Sequence, residues 1–302
     1  MKRLWVANMG DDSLWRIDPE SGETKRIDIA AINRGLGRSV PAVGPCHLAT
    51  DGESLFCVNA FDESVTALSA KEGEIVGAKS VAAHPVHVTL SPCGTYLVVC
   101  CGDANCLYIL DKVTLKPMFS VPVGLYPCCA LFTPDGSMLV VANADSRDVM
   151  LLDGEDLHLM GIFQVDGAPQ CMAFYQKRGE ILVSVTGVDY EGSGWMDFIS
   201  LGEGRKIARM PMGVAPGGIG VLQNEAWVAN TGSGRLSVLS LEEPAVVDLV
   251  PAGSMPWHVW AEGDTVFVTD LEDETVTAFS AGTRQPLFSL PTGKEPSDLL
   301  LL

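Results

Sequence analysis

Apolar and polar positions alternate along this chain in short runs, and the same run returns at a regular spacing. An apolar stretch ends in a short polar residue, an acidic or glycine-rich loop follows, and another apolar stretch begins. The clearest copies are Trp5-Val6-Ala7-Asn8, Val140-Val141-Ala142-Asn143 and Trp227-Val228-Ala229-Asn230. Cys57-Val58-Asn59 and Val268-Thr269-Asp270 follow the pattern, while Cys100-Cys101 and Val185-Thr186 are degenerate versions of it. Short alternating runs bounded by turn residues predict β-strands. After the loop, Val65-Thr66-Ala67-Leu68 and Leu107-Tyr108-Ile109-Leu110 read as a third strand, and Lys116 to Val121 as a fourth. Ser91-Pro92-Cys93-Gly94 and Thr133-Pro134-Asp135-Gly136 carry tight-turn chemistry between first and second strands.

A second signature opens the first strand of each unit. Pro45-Cys46-His47, Pro85-Val86-His87, Pro127-Cys128-Cys129, Pro169-Gln170-Cys171, Pro216-Gly217-Gly218, Pro256-Trp257-His258 and Pro296-Ser297-Asp298 lie 40, 42, 42, 47, 40 and 40 residues apart. Seven units of that length predict an all-β fold, a seven-bladed β-propeller with four-stranded blades, as a single domain over residues 1–302. The chain opens in a second-strand motif and stops after a lone first strand, Ser297 to Leu302. Pairing those two segments completes a mixed blade and leaves no open edge.

Together the two signatures resemble the YVTN family of propeller repeats, whose consensus runs from a proline through a turn with Asp-Gly to a Tyr-Val-x-Asn-like strand. The resemblance covers essentially the whole chain. It implies the fold and leaves function open, since surface proteins, binding modules and enzymes share it. WD-type repeats fit less well, because no Trp-Asp dipeptide occurs. Two segments exceed the regular length, Ile27 to Gly44 and Gly187 to Trp195 in the fifth blade, and such insertions usually lie over one face.

Strand direction places the opening of each first strand and the end of each second strand at the same channel mouth. The residue two places after each proline then forms a ring: Asp298, His47, His87, Cys129, Cys171, Gly218 and His258. Imidazole, carboxylate and thiol donors on one axis suit zinc, copper or iron, so His47, His87, His258, Asp298, Cys129 and Cys171 are the candidate metal ligands. The alternative is structural: a His there can hydrogen-bond the next blade's backbone, and a Cys packs as a small hydrophobe. His84 and His158 lie off this register and read as surface or strand-end residues. Asn8, Asn59, Asn143, Asn230 and Asp270 read as structural turn residues. The loops after them are acidic (Asp11-Asp12, Asp62-Glu63, Asp145, Asp189, Glu191 and Glu272-Asp273-Glu274), crowning the mouth with negative charge.

Composition narrows the partners. A net charge of −18 disfavours nucleic acid and anionic membranes and favours a metal ion or a cationic small molecule, though it also serves plain solubility. No secretory leader or span of about 20 apolar residues is visible. Nine cysteines without CxxC spacing suggest reduced thiols, hence a cytoplasmic protein, expected to be a monomer. No Gly-x-Ser-x-Gly elbow, phosphate loop or His-Glu-x-x-His motif occurs. Three functions compete. One is a metal- or cation-binding propeller. Another is a metal-dependent lactonase or lyase, with a metal polarising the ester and His47, His87 or His258 as base or ligand. The third is a cofactor-free protein-interaction scaffold anchored by Trp257, Tyr126 and Tyr190.

Overall fold

A computed structural model describes residues 2–31, 41–188 and 192–302. Seven four-stranded antiparallel sheets form the ring. The first blade holds β1 (Leu4–Asn8), β2 (Ser13–Ile17) and β3 (Thr24–Asp28). The second holds β4 (Pro45–Thr50), β5 (Ser54–Asn59), β6 (Ser64–Ser69) and β7 (Ile75–Ser80). The third is β8 (Pro85–Leu90), β9 (Tyr96–Cys101), β10 (Cys106–Asp111) and β11 (Pro117–Pro122). The fourth is β12 (Pro127–Phe132), β13 (Met138–Asn143), β14 (Asp148–Asp153) and β15 (Leu159–Gln164). Next come β16 (Ala168–Tyr175), β17 (Glu180–Thr186), β18 (Ser193–Ser200) and β19 (Arg205–Val214). The sixth blade is β20 (Pro216–Leu222), β21 (Glu225–Asn230), β22 (Arg235–Ser240) and β23 (Ala245–Pro251). The seventh is β24 (Pro256–Glu262), β25 (Thr265–Asp270), β26 (Thr275–Ser280) and β27 (Pro286–Pro291). β28 (Pro296–Leu301) pairs antiparallel with β1, Leu4 opposite Leu301 and Val6 opposite Leu299, and so completes the first blade as the phase of the repeat requires.

The inner strands touch in ring order, from β28 through β4, β8, β12, β16, β20 and β24 and back to β28. Alternation explains why the blades stack on both faces. Trp5 and Ala7 pack with Leu55, Cys57 and Leu68 of the second blade. Leu4 and Val6, one residue out of phase, pack with Phe267, Val276 and Ala278 of the seventh. A strand buried on both sides becomes a continuous apolar run ending where the polar turn begins. Each of the seven blade interfaces has such a core among the described residues. No helix among them is long and apolar enough to cross a membrane.

The two sequence signatures meet at one end of the blade. Pro45 pairs with Asn59, Pro127 with Asn143, Pro216 with Asn230, Pro256 with Asp270 and Pro296 with Asn8. The residue before the proline takes positive φ in five blades, at Gly44, His84, Tyr126, Ala215 and Glu295. That conformation is uncommon outside glycine. Here it turns the carbonyl onto the second strand's exit: Gly44, His84 and Tyr126 accept from the amides of Ala60, Gly102 and Ala144, each at 2.8 Å. The Asn side chains are buried and bind across the hairpin. Asn59 Nδ2 donates to Ser64 Oγ and Thr66 Oγ1, both at 2.9 Å, and Asn143 Nδ2 donates to Asp148 Oδ1 at 2.7 Å. Their role is structural as expected, with the partners on the third strand.

Candidate functional site

Each ring position lies at the bulge that follows the blade's proline, where β4, β8, β12, β16, β20, β24 and β28 enter the sheet; five resume the ladder there, while Gly218 and His258 stand unpaired inside it. The bulge releases the ladder locally and aims these side chains along the ring. Six of them form a continuous line of contacts. His258 Nδ1 lies 3.0 Å from Asp298 Oδ1, and Asp298 Oδ2 lies 3.8 Å from His47 Nε2. The rings of His47 and His87 stack at 3.8 Å between centroids with a 34° tilt. His87 Nε2 lies 3.7 Å from Cys129 Sγ, and the Cys129 and Cys171 thiols are close enough to perturb one another's ionisation. Gly218 is the gap between Cys171 and His258. A Cβ there would come within 2.6 Å of the Trp257 carbonyl oxygen, so the sixth blade has no room for a side chain.

Part of the arrangement is mechanical. Asp298 Oδ2 accepts from Leu48 N at 2.6 Å, and His47 Nδ1 accepts a longer bond of 3.4 Å from Val88 N, each tying its blade to the next. Two buried hydroxyls not singled out from the sequence complete this frame. Ser184 Oγ accepts from Cys171 N at 3.1 Å and donates to the Gly217 carbonyl at 2.7 Å. Thr269 Oγ1 accepts from His258 N at 3.0 Å. Both follow apolar runs in second strands, Ile181-Leu182-Val183 and Val266-Phe267-Val268, which is the signal that could have found them: a buried hydroxyl at the end of an apolar run.

Two atoms of the ring are left over. His87 is 7% exposed and its Nδ1 has no hydrogen-bond partner. Asp298 is 2% exposed, and its Oδ1 has none either despite the nearby imidazole of His258. Buried polar atoms without partners are rare and call for an explanation in water, ion or ligand. Burial pushes His47 and His87 down to about 3, so both are neutral near pH 7. At His47 the Asp298 carboxylate opposes the burial without cancelling it. The neighbouring Cys129 thiol favours thiolate on Cys171.

The donors meet in pairs rather than as a cage. Two ligands bound to one ion at about 2.0 to 2.3 Å stand roughly 3.3 to 4.3 Å apart, depending on the angle at the metal. The pairs His87–Cys129 and His47–Asp298 fit that range. Among the described residues, the group of three donors with ligand atoms all within 4.8 Å is instead Asp153, Asp156 and His158, in the exposed turn between β14 and β15. Those atoms are already engaged in the turn, with Asp153 Oδ1 accepting from Glu155 N and Asp156 Oδ1 from His158 N.

The surrounding mouth is only partly a charged funnel. Asp12 Oδ1 accepts from Val43 N and Gly44 N, and Asp270 accepts from Met255, Glu272 and Asp273 amides, so these carboxylates hold loops. Trp257 is 40% exposed at the opening of β24. Tyr126 is half-buried, its hydroxyl 3.3 Å from His84 Nδ1. Asp189, Tyr190 and Glu191 lie outside the described residues. A cavity of about 290 Å³ lies away from the ring, lined by Ala252, Gly253, Asp273, Thr277, Phe279 and Ser289.

No protein-family model matches the chain, and no curated protein matches it. Solved structures do. Kuenenia stuttgartiensis hydrazine synthase superposes with a TM-score of 0.77 at 15% identity, over 87% of this chain and 96% of that one. A Bacteroides fragilis protein with a provisional 6-phosphogluconolactonase designation gives 0.77 at 14% identity, over 100% and 98%. The dihydro-heme d1 dehydrogenase NirN gives 0.67 at 14%, over 99% and 74%. At these identities the likeness is one of fold.

Proposed function

We propose that this chain is a binding propeller that holds a soft transition-metal ion at the ring, centred on His87 and Cys129. The observation that carries the reading is a buried His87 whose Nε2 stands 3.7 Å from the Cys129 thiol, the spacing of two ligands on one ion. A neutral imidazole and a thiol that loses its proton on binding are the donors copper(I) and zinc select. Among the described residues no third donor stands preformed beside the pair, which favours copper(I), a metal that accepts two ligands; zinc would need His47 or Cys171 to close in. We also read the repeat as YVTN-type, on the proline–asparagine pairing described above, and nine free thiols suit a reducing compartment.

Reduced, metal-free protein titrated with copper(I) or zinc against a competing chelator should bind one equivalent. His87→Ala and Cys129→Ala should each weaken it by about 100-fold or more, the upper end of what even outer-sphere changes produce. Affinity unchanged in both variants, or no binding in the wild type, would overturn the reading.

A second reading rests on a different pair. His258 beside Asp298, itself held by Leu48 N, has the arrangement of a carboxylate-oriented general base. With a structural neighbour designated a lactonase, the substrate class to test is lactones, phosphorylated ones included. Hydrolysis that falls about 100-fold or more in His258→Ala would support this reading. No turnover across such a panel, with and without added metal, would remove it.

A further inference from the structure

The hairpin between the second and third strands ends the same way in several blades. Asn8 faces Ser13, Asn59 faces Ser64 and Asn143 faces Asp148, each joined by a side-chain hydrogen bond. In the third blade those two positions are Cys101 and Cys106. They are direct cross-strand partners flanking the turn 102–105, with each thiol shifting the other's ionisation and Cys101 Sγ also 3.8 Å from the Val99 carbonyl oxygen. Directly opposed residues in an antiparallel pair have Cα atoms about 4.5 to 5.5 Å apart, inside the range a disulfide spans. Cys101 is fully buried and Cys106 is partly exposed, which gives one sulfur access to solvent and the other to its partner alone.

We propose that Cys101 and Cys106 are a reversible dithiol–disulfide site that hydroperoxides oxidise. The Cys106 thiolate attacks one peroxide oxygen, the O–O bond breaks, and the leaving oxygen departs as hydroxide or alkoxide and takes up a proton. Cys106 is then a sulfenic acid. The Cys101 sulfur, giving up its proton, attacks that sulfur and expels hydroxide, which leaves as water. Two thiols and one hydroperoxide thus give one disulfide, one water and one further water or alcohol. The neighbouring Cys101 thiol holds Cys106 down to about 7, which keeps a large thiolate fraction at neutral pH. The disulfide would fix a turn braced on the mouth. Asn105 Oδ1 accepts from Tyr126 N at 2.9 Å, Gly102 N donates to the His84 carbonyl at 2.8 Å, and Asp103 lies 3.7 Å from His84 Nδ1.

Full-length protein treated with hydrogen peroxide, then alkylated and mapped by mass spectrometry, tests this. Exposed Cys93 is the internal gauge of dose. At a dose that makes Cys93 reactive to dimedone, Cys101 and Cys106 should lose alkylation together, and the segment between them should lose two hydrogens. Dithiothreitol should reverse both changes. Cys101→Ser should leave Cys106 as a dimedone-reactive sulfenic acid, and Cys106→Ser should leave Cys101 reduced. Serine already occupies the matching place at Ser13 and Ser64, so Cys106→Ser is compatible with the fold. Cys106 still free at that dose, or Cys101 linked to Cys100, would overturn the proposal, and the wild-type map decides it without either variant.

Discussion

Removing residues 296–302 should abolish cooperative folding of this protein. β28 is the inner strand of the first blade, and its loss strips β1 of one ladder while deleting Leu299 and Leu300, which are 0% and 3% exposed. Those leucines belong to different interfaces, Leu299 to the core shared with the seventh blade and Leu300 to the core shared with the second. Each buried leucine contributes roughly 2 to 5 kcal/mol. The truncation also removes the Asp298 carboxylate from Leu48 N, and leaves that buried amide unpaired for about 1 to 3 kcal/mol more. The sum reaches the whole stability of a typical domain, about 5 to 15 kcal/mol. What survives has an exposed β1 edge and should associate through it. Thermal melts and light scattering on the truncated chain give the answer: a broad, early transition with oligomers is expected. A sharp transition within a few degrees of wild type would mean that the ring does not depend on this closure. Leu300→Ala, which keeps the strand, should lower the melting temperature and leave the protein monodisperse.

That closure was legible because it follows from the phase of a repeat, and phase survives any amount of substitution. The proline and asparagine signatures mark the two ends of one cross-strand pair, so their pairing followed from antiparallel geometry alone. The ring residues were legible as neighbours for the same reason. Their chemistry was less so. Sequence register puts His47 and His87 two places after a proline, but it cannot say that His47 takes the Val88 amide while His87 Nδ1 takes nothing. Such differences arise from side-chain rotations of an ångström or two at a bulge. Ser184 and Thr269 were missed because a hydroxyl in an apolar strand looks like a tolerated exception until its partners are seen. The Cys101–Cys106 pair was hidden in a motif copy that reads as degenerate. Only the register, which puts thiols where other blades carry Asn and Ser or Asp, shows that the substitution is matched on both strands.

Metal-free protein should lose stability as pH falls from 6.5 toward 3, with the upper part of that loss, between pH 6.5 and 5, preceding carboxylate titration. His47 and His87 have folded values of about 3, against about 6.5 in the unfolded chain, so in that window the unfolded state binds the protons. Stability therefore rises with pH through the window and is fully present above pH 6.5. Between pH 6.5 and 5 the linkage amounts to about 2 kcal/mol for one such histidine. His87, with Cys129 beside it and no carboxylate in contact, should show nearly all of it. His47 should show less, because it keeps 21% of its side-chain surface exposed and Asp298 stabilises its protonated form. Urea midpoints at pH 7 and 5 in the presence of a chelator measure the slope, and His87→Leu should flatten it by about one proton. An unchanged slope in that variant would mean that His87 is protonated in the folded protein without penalty, and its environment would not be the dry one described. A bound ion acts in the same direction: it competes with the proton for imidazole and thiolate. Adding copper(I) or zinc should thus raise stability above pH 6.5 and steepen the loss below it, and the steepening should disappear in Cys129→Ala.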